Sequence, residues 1–233
     1  MTRNELLAEL FGDWHHDPAA VVAFDEWLVS SRRFTGFVTE HLTKVRKKLR
    51  TSGDQEGALD VLYELEVAHR VVSVKAHGLA YEPFAGAKER GPDFAVTFNG
   101  RPWLLLEVTR LGGEAAGTPQ RVARAVTLKL RQLRPEGPNV VLVGVTGAGP
   151  SEEEVATAMT ATARDAETAD DSFFSRLGMR DRKAFFQYYE RLAAVMVRTG
   201  SVPGAAVTSW FNPRARRQVE TRGLQALLGA LAE

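Results

Sequence analysis

Residues 140–145 read Val-Val-Leu-Val-Gly-Val and leave no polar position to turn toward solvent. A strand wetted on one face alternates apolar and polar side chains, so an unbroken apolar run of this length reads as a strand covered on both faces. Such a strand needs helices above and below it, which points to a layered α/β architecture. The preceding segment supplies one of them. Val122, Ala125, Val126, Leu130 and Leu133 recur at helical spacing behind Pro119, and the proline-bounded stretch 135–138 breaks the pattern. A helix crossing between a strand at 103–108 and the run at 140–145 makes those two strands parallel.

Upstream, residues 3–11, 19–31 and 36–50 show apolar residues at helical spacing. The third places Phe37, Val38, Leu42, Val45 and Leu49 on one stripe, with basic residues elsewhere. Asp17 before Pro18 is a helix start, and Thr51-Ser52-Gly53 is a stop. A fourth helix is expected over 55–76, ended by Gly78. The period then switches to strands at 79–84, 94–98 and 103–108, with Asn99-Gly100 as a hairpin turn between the last two. Beyond Gly149 the pattern predicts helices near 151–168 and 180–192, strands near 194–198 and 205–211, and an amphipathic stretch over 224–231. No repeat or linker interrupts the chain. It reads as a helical N-terminal section (1–54) followed by an α/β domain (55–233) whose core spans about 55–146.

A hydrophobic fraction of 44% over 233 residues allows a sizeable core without staples. The absence of cysteine excludes a disulfide framework, a thiol nucleophile and a cysteine zinc site, and fits a reducing cytoplasm. No apolar run approaches the ~20 residues needed to span a bilayer, and the stretch behind Met1 is too short for a signal peptide, so no membrane partner is expected. With 30 basic and 29 acidic residues, the balance argues against indiscriminate coating of nucleic acid. It leaves room for a local basic groove, since Lys44, Arg46, Lys47, Lys48 and Arg50 cluster, as do Arg214, Arg216 and Arg217.

The chemistry is concentrated in two places, Pro92-Asp93 entering one strand and Leu104-Leu105-Leu106-Glu107-Val108-Thr109 on the next. Burying an unpaired carboxylate costs several kcal/mol, so Glu107 needs a metal, a cationic neighbour or a raised pKa. Two carboxylates at a strand edge suit Mg²⁺, which prefers oxygen ligands and usually takes only one or two from the protein. A lysine or arginine paired with Glu107 would satisfy the same demand.

Pro92-Asp93, the hairpin and Glu107-Val108-Thr109, in a helix–three strands–helix–strand order, resemble the PD-(D/E)XK (restriction-endonuclease-like) nuclease superfamily. The resemblance implies an αβββαβ core with a mixed sheet and a Mg²⁺-dependent phosphodiesterase, with Mn²⁺ able to substitute, acting on nucleic acid, DNA favoured over RNA. Asp93 and Glu107 would be metal ligands, joined by Glu64 or Glu66 from the segment Tyr63-Glu64-Leu65-Glu66-Val67-Ala68. The family's lysine two residues after the glutamate is Thr109 here, and Lys129 on the following helix is the candidate to replace it. A catalytically degenerate member of the fold, serving as a binding or assembly module, is the alternative reading. Whether the chain forms a homodimer is left open.

A geometric condition follows. With a tight two-residue turn and an unbroken ladder, Asp93 stands opposite Leu106, and Glu107 points to the other face. A three-residue loop, Asn99-Gly100-Arg101, or a bulge nearer Asp93 shifts the count by one and puts both carboxylates on one face, Thr109 with them. Other features carry less. The histidines His15, His16, His41, His69 and His77 show no ligand spacing, Gly147-Ala148-Gly149 lacks a phosphate-loop signature, and Trp210–Arg214 reads as a solvated turn.

Overall fold

The computed structural model describes residues 1–12, 17–86, 91–113, 118–200 and 205–232. His15 and His16 lie outside them. At the centre is a six-stranded mixed sheet with its strands in chain order: β1 (His77–Tyr81), β2 (Phe94–Phe98), β3 (Arg101–Leu111), β4 (Asn139–Val145), β5 (Leu192–Thr199) and β6 (Ala206–Phe211). The first three form an antiparallel meander, β3, β4 and β5 are parallel, and β6 returns antiparallel. Every residue of β4 is buried, as its unbroken apolar run requires, and its parallel pairing with β3 is the one a crossover helix dictates.

Helices cover both faces. On one lie α1 (Arg3–Phe11), α2 (Pro18–Ser30), α3 (Arg32–Thr51), α4 (Gln55–Ser73) and α9 (Thr221–Ala232), packed on Leu104, Leu106, Val108, Val140 and Leu142. On the other, α5 (Pro119–Lys129), α6 (Glu152–Thr168), α7 (Asp171–Arg176) and α8 (Arg182–Tyr189) enclose Val141, Val143, Val145, Val195 and Val197. The alternation of side chains along each strand sorts neighbours into these two cores. The N-terminal helices are not a separate body. Phe24 and Phe34, fully buried and edge-to-face at 5.6 Å, share one core with Leu65 and Ala68 of α4 and with the sheet. Among the described residues, no helix is long and apolar enough to cross a membrane.

Local signals explain several boundaries. Asp17 Oδ1 accepts from the N–H groups of Ala19 and Ala20 and caps α2, with Pro18 at its first position. Asp54 caps α4 through the Gly57 N–H at 2.8 Å, and Ser151 and Glu154 form a reciprocal capping box on α6. Gly53, at φ 80°, follows the end of α3 as the stop signal required.

Other boundaries differ from the sequence reading. α3 starts at Arg32, because the Ser31 side chain caps it. α4 ends at Ser73 and Gly78 lies inside β1, where a Cβ would collide with Thr97. The glycine serves close strand approach, and the strand expected at 79–84 is displaced toward the N-terminus. The predicted helix near 180–192 is the shorter α8, and the last residue of that range, Leu192, already belongs to β5. A short α7, capped by Asp170, was not anticipated, since six residues are too few to show a period.

Candidate metal and phosphoryl site

The hairpin decides whether the two carboxylates can meet. Asn99 (φ 50°) and Gly100 (φ 76°) form a two-residue turn with Phe98 paired to Arg101, so of the two alternatives the three-residue loop is not used. Positive φ at both central residues suits the strand twist, and an Asn-Gly pair adopts it at little cost. Further along, Val96 pairs with Leu104 while Thr97 pairs with Pro102, leaving Trp103 as the extra residue of a bulge. The bulge shifts the count by one, so Phe94 faces Leu106. Extending that register brings Asp93 level with Glu107, and Asp93 Oδ2 accepts a hydrogen bond from the Val108 N–H at 2.8 Å.

Glu107 is completely buried. Its Oε1 lies 2.7 Å from Lys129 Nζ at the end of α5, whereas its Oε2 has no hydrogen-bond partner. Burial and the charge of Asp93 push its carboxyl up to about 8, against the pull of Lys129. Asp93 is raised too, mainly by burial, with the Val108 N–H and the ammoniums of Lys48 and Lys129 pulling it back. Burial disfavours the Lys129 ammonium, but Glu107, Asp93 and Glu64 outweigh it and raise its pKa. Lys129 therefore senses all three acids.

Glu64 enters from the middle of α4. It accepts from Lys48 Nζ at 2.7 Å and from the Tyr81 hydroxyl at 3.2 Å, while burial and Asp93 push it up to about 7. Lys48 also pairs with Glu82 at 3.1 Å and lies 5.0 Å from the centre of the Tyr81 ring. Glu82 sits just after β1 with φ 47°, an uncommon conformation for a residue other than glycine. Its N–H donates to the Asp93 carbonyl at 2.7 Å, which ties the end of β1 to the start of β2.

Of the six residues the sequence nominated, Asp93, Glu107, Lys129 and Glu64 thus form one electrostatic unit. Thr109 is on the Glu107 face of β3 by alternation. Glu66 is not brought in. Its Oε1 is held by Arg70 at 3.0 Å and by Arg198 of β5 at 2.8 Å, on the other flank of α4. Arg110 turns away from Glu107 and pairs with Glu56 and Asp60 of α4. Lys48, Tyr81 and Glu82 were not singled out from sequence. The basic cluster in α3 was the one signal for Lys48.

The donor set suits a hard divalent ion in part. Glu107 Oε2 is a buried oxygen without a donor, and burial first, then repulsion from Asp93, raises both Glu107 and Glu64. Among the described residues, no three Asp, Glu or His side chains are arranged as a ready cage. One or two carboxylates with water remain, which is the usual manner of holding Mg²⁺. Comparison with protein-family models, curated proteins and solved structures finds no match to this chain.

Proposed function

We propose that the chain is a divalent-metal-dependent phosphodiesterase of PD-(D/E)XK type acting on nucleic acid, with DNA favoured. The observation that carries this reading is the Trp103 bulge, which aligns Asp93 with Glu107, next to a lysine delivered from α5 rather than from β3. Asp93 and Glu107 would hold Mg²⁺, or Mn²⁺ in its place, with Glu64 supporting through water. When bound, the cation polarises a phosphoryl oxygen and acidifies a water molecule. Lys129 holds Glu107 in position and supplies positive charge where charge develops on phosphorus. Thr109 offers a hydroxyl on the same face. Lys48 and Lys44, both close to Glu82, supply positive charge beside the carboxylates for a phosphate backbone.

One observation favours the second reading, a catalytically degenerate binding or assembly module. Lys129 and Lys48 already neutralise Glu107 and Glu64 without any metal. Calorimetry with Mg²⁺ and Mn²⁺, together with cleavage of single- and double-stranded DNA and RNA, separates the two. Metal binding lost in Glu107→Ala and Asp93→Ala, and cleavage lost in chelator, are the expected results. Metal binding without cleavage leaves the module, and full cleavage in excess chelator ends the proposal.

A further inference from the structure

On the far flank of α4, at the carboxyl ends of the parallel strands β4 and β5, a cavity of about 760 Å³ opens, lined among others by Trp27, Tyr63, Glu66, Arg70 and Arg198. Ligands of open α/β sheets gather at this end of the strands. Two of the lining groups are unusual. Arg198 is 4% exposed, and its Nε donates to the Leu231 carbonyl at 2.7 Å. Its Nη2 lies 2.8 Å from Glu66 Oε1 but off the hydrogen-bonding direction, so it is charge-paired and still without an acceptor. The Tyr63 hydroxyl is likewise buried, with the Arg198 guanidinium as its polar neighbour.

The chain makes room for that phenol. Gly144 interrupts the aliphatic run of β4, and a Cβ there would overlap the Tyr63 ring. A valine at this point would better suit a buried strand, so the glycine is accounted for by the tyrosine that lies on it.

Charge points the same way. Arg70 donates to Glu66 Oε1 through both Nε and Nη2, at 3.1 and 3.0 Å, and Arg198 shares that same oxygen. Two buried guanidiniums against one carboxylate leave one positive charge in excess, and burial together with Arg198 pulls the Arg70 pKa down. Arg110 also borders the cavity but is outnumbered by Glu56 and Asp60, so the positive excess is confined to Arg70 and Arg198 around Glu66. Glu26 stands exposed at the rim.

We infer that this cavity binds the phosphoryl group of a phosphomonoester, with Arg198, Arg70 and the Tyr63 hydroxyl as donors. A tetrahedral oxyanion accepts from several directions at once and matches guanidinium forks. The cavity is too roomy for a bare ion, so the ligand carries a body beyond its phosphate. The acidic rim disfavours a long polyanion and selects one terminal phosphate, either of a free nucleotide or of the 5′ end of a strand. The inference uses none of the carboxylate cluster and stands independently of the proposed hydrolysis.

The full chain, titrated calorimetrically in chloride buffer, tests it with inorganic phosphate, a nucleoside monophosphate, and one oligonucleotide bearing either a 5′-phosphate or a 5′-hydroxyl. The nucleotide should bind more tightly than phosphate if the source is free, and the 5′-phosphorylated strand should outbind its 5′-hydroxyl twin if the source is a strand end. Arg198→Lys, which keeps charge but loses the fork, should weaken binding about tenfold, and Tyr63→Phe, which keeps the ring on Gly144, should weaken it about threefold. Failure of all four probes to bind, or binding that Tyr63→Phe and Arg198→Lys both leave intact, overturns the inference.

Discussion

Glu64 and Glu66 sit two residues apart on α4, about 200° apart around the helix, and their surroundings are opposite in kind. Glu64 faces Lys48 and Tyr81 within reach of two more carboxylates, and Asp93 repels it. Glu66 is clasped by two buried arginines and faces a cavity with positive charge to spare. One helix thus serves an acid-rich opening on one flank and a base-rich opening on the other. Residue type alone does not assign a glutamate to a metal site. What matters is whether its neighbours leave its oxygens available. Lysine, a point charge on a flexible stem, can yield an oxygen to a cation more readily than a pair of buried guanidinium forks can.

The largest effect that would break this contrast lies on the acid flank. Asp93→Asn and Glu107→Gln should each reduce phosphodiester cleavage by about a hundredfold or more, measured with Mn²⁺ and Mg²⁺ at saturation. Glu66→Gln should leave cleavage within a small factor of wild type, and a loss equal to that of Glu107→Gln would return Glu66 to the proposed metal site.

Stability should show the reverse order. Glu66→Ala leaves two buried guanidiniums facing each other and should cost about 3–5 kcal/mol in chemical denaturation. Glu64→Gln keeps an acceptor for Tyr81 and relieves a repelled carboxylate, so it should cost about 1 kcal/mol or less. Equal costs would erase the distinction between the flanks.

pH sharpens the comparison further. Burial and Asp93 hold Glu107 at about 8 and Glu64 at about 7, above the ordinary value of 4.5. The folded protein therefore keeps protons that the unfolded chain has released. The stability from these groups is full below about 4.5 and is lost as pH rises toward about 8. The stability of Glu107→Gln relative to wild type should accordingly improve between pH 5 and pH 8. A constant difference would contradict the crowding of the acids. Divalent ions displace those protons, so their affinity should rise over the same window.

The smallest effect concerns a third residue of the same helix. His69 is stacked on Trp27, with ring centroids 5.8 Å apart, and burial followed by the charge of Arg70 pulls it down to about 4. Its neutral form is the folded one, so stability is complete above about 6.5 and falls as pH drops toward 4. After allowance for its partial exposure, the loss is about 1 kcal/mol. His69→Gln should remove that acid sensitivity, and an unchanged acid limb would assign it elsewhere.

Much of the candidate site was legible because its signals are local or nearly so. A glutamate inside Leu104–Val108 declares its own electrostatic problem, and Lys129 lies one crossover helix away. Lys48, Tyr81 and Glu82 were less legible. Their meeting requires α3 to lie across the end of β1, and no periodicity within either segment encodes that contact. The bulge shows the division clearly. Side-chain alternation required that something shift the ladder by one, but nothing in Arg101-Pro102-Trp103 marks Trp103 as the extra residue rather than the turn as longer. Asn99-Gly100 favours the tight turn, and the shift then falls where Trp103 packs on His77, ring centroids 5.6 Å apart.

The sequence by itself determined the layered α/β class, the parallel pairing of β3 with β4, the cap of α2, and the need for a partner at Glu107. These follow from period, burial and turn chemistry, which act over a few residues. Only the tertiary structure decided that Glu64 joins Asp93 while Glu66 joins Arg70 and Arg198, and that Gly144 makes way for Tyr63. Those outcomes depend on which flank of α4 meets which strand end. That is settled by how two cores pack against opposite faces of one sheet, and local sequence carries no record of it.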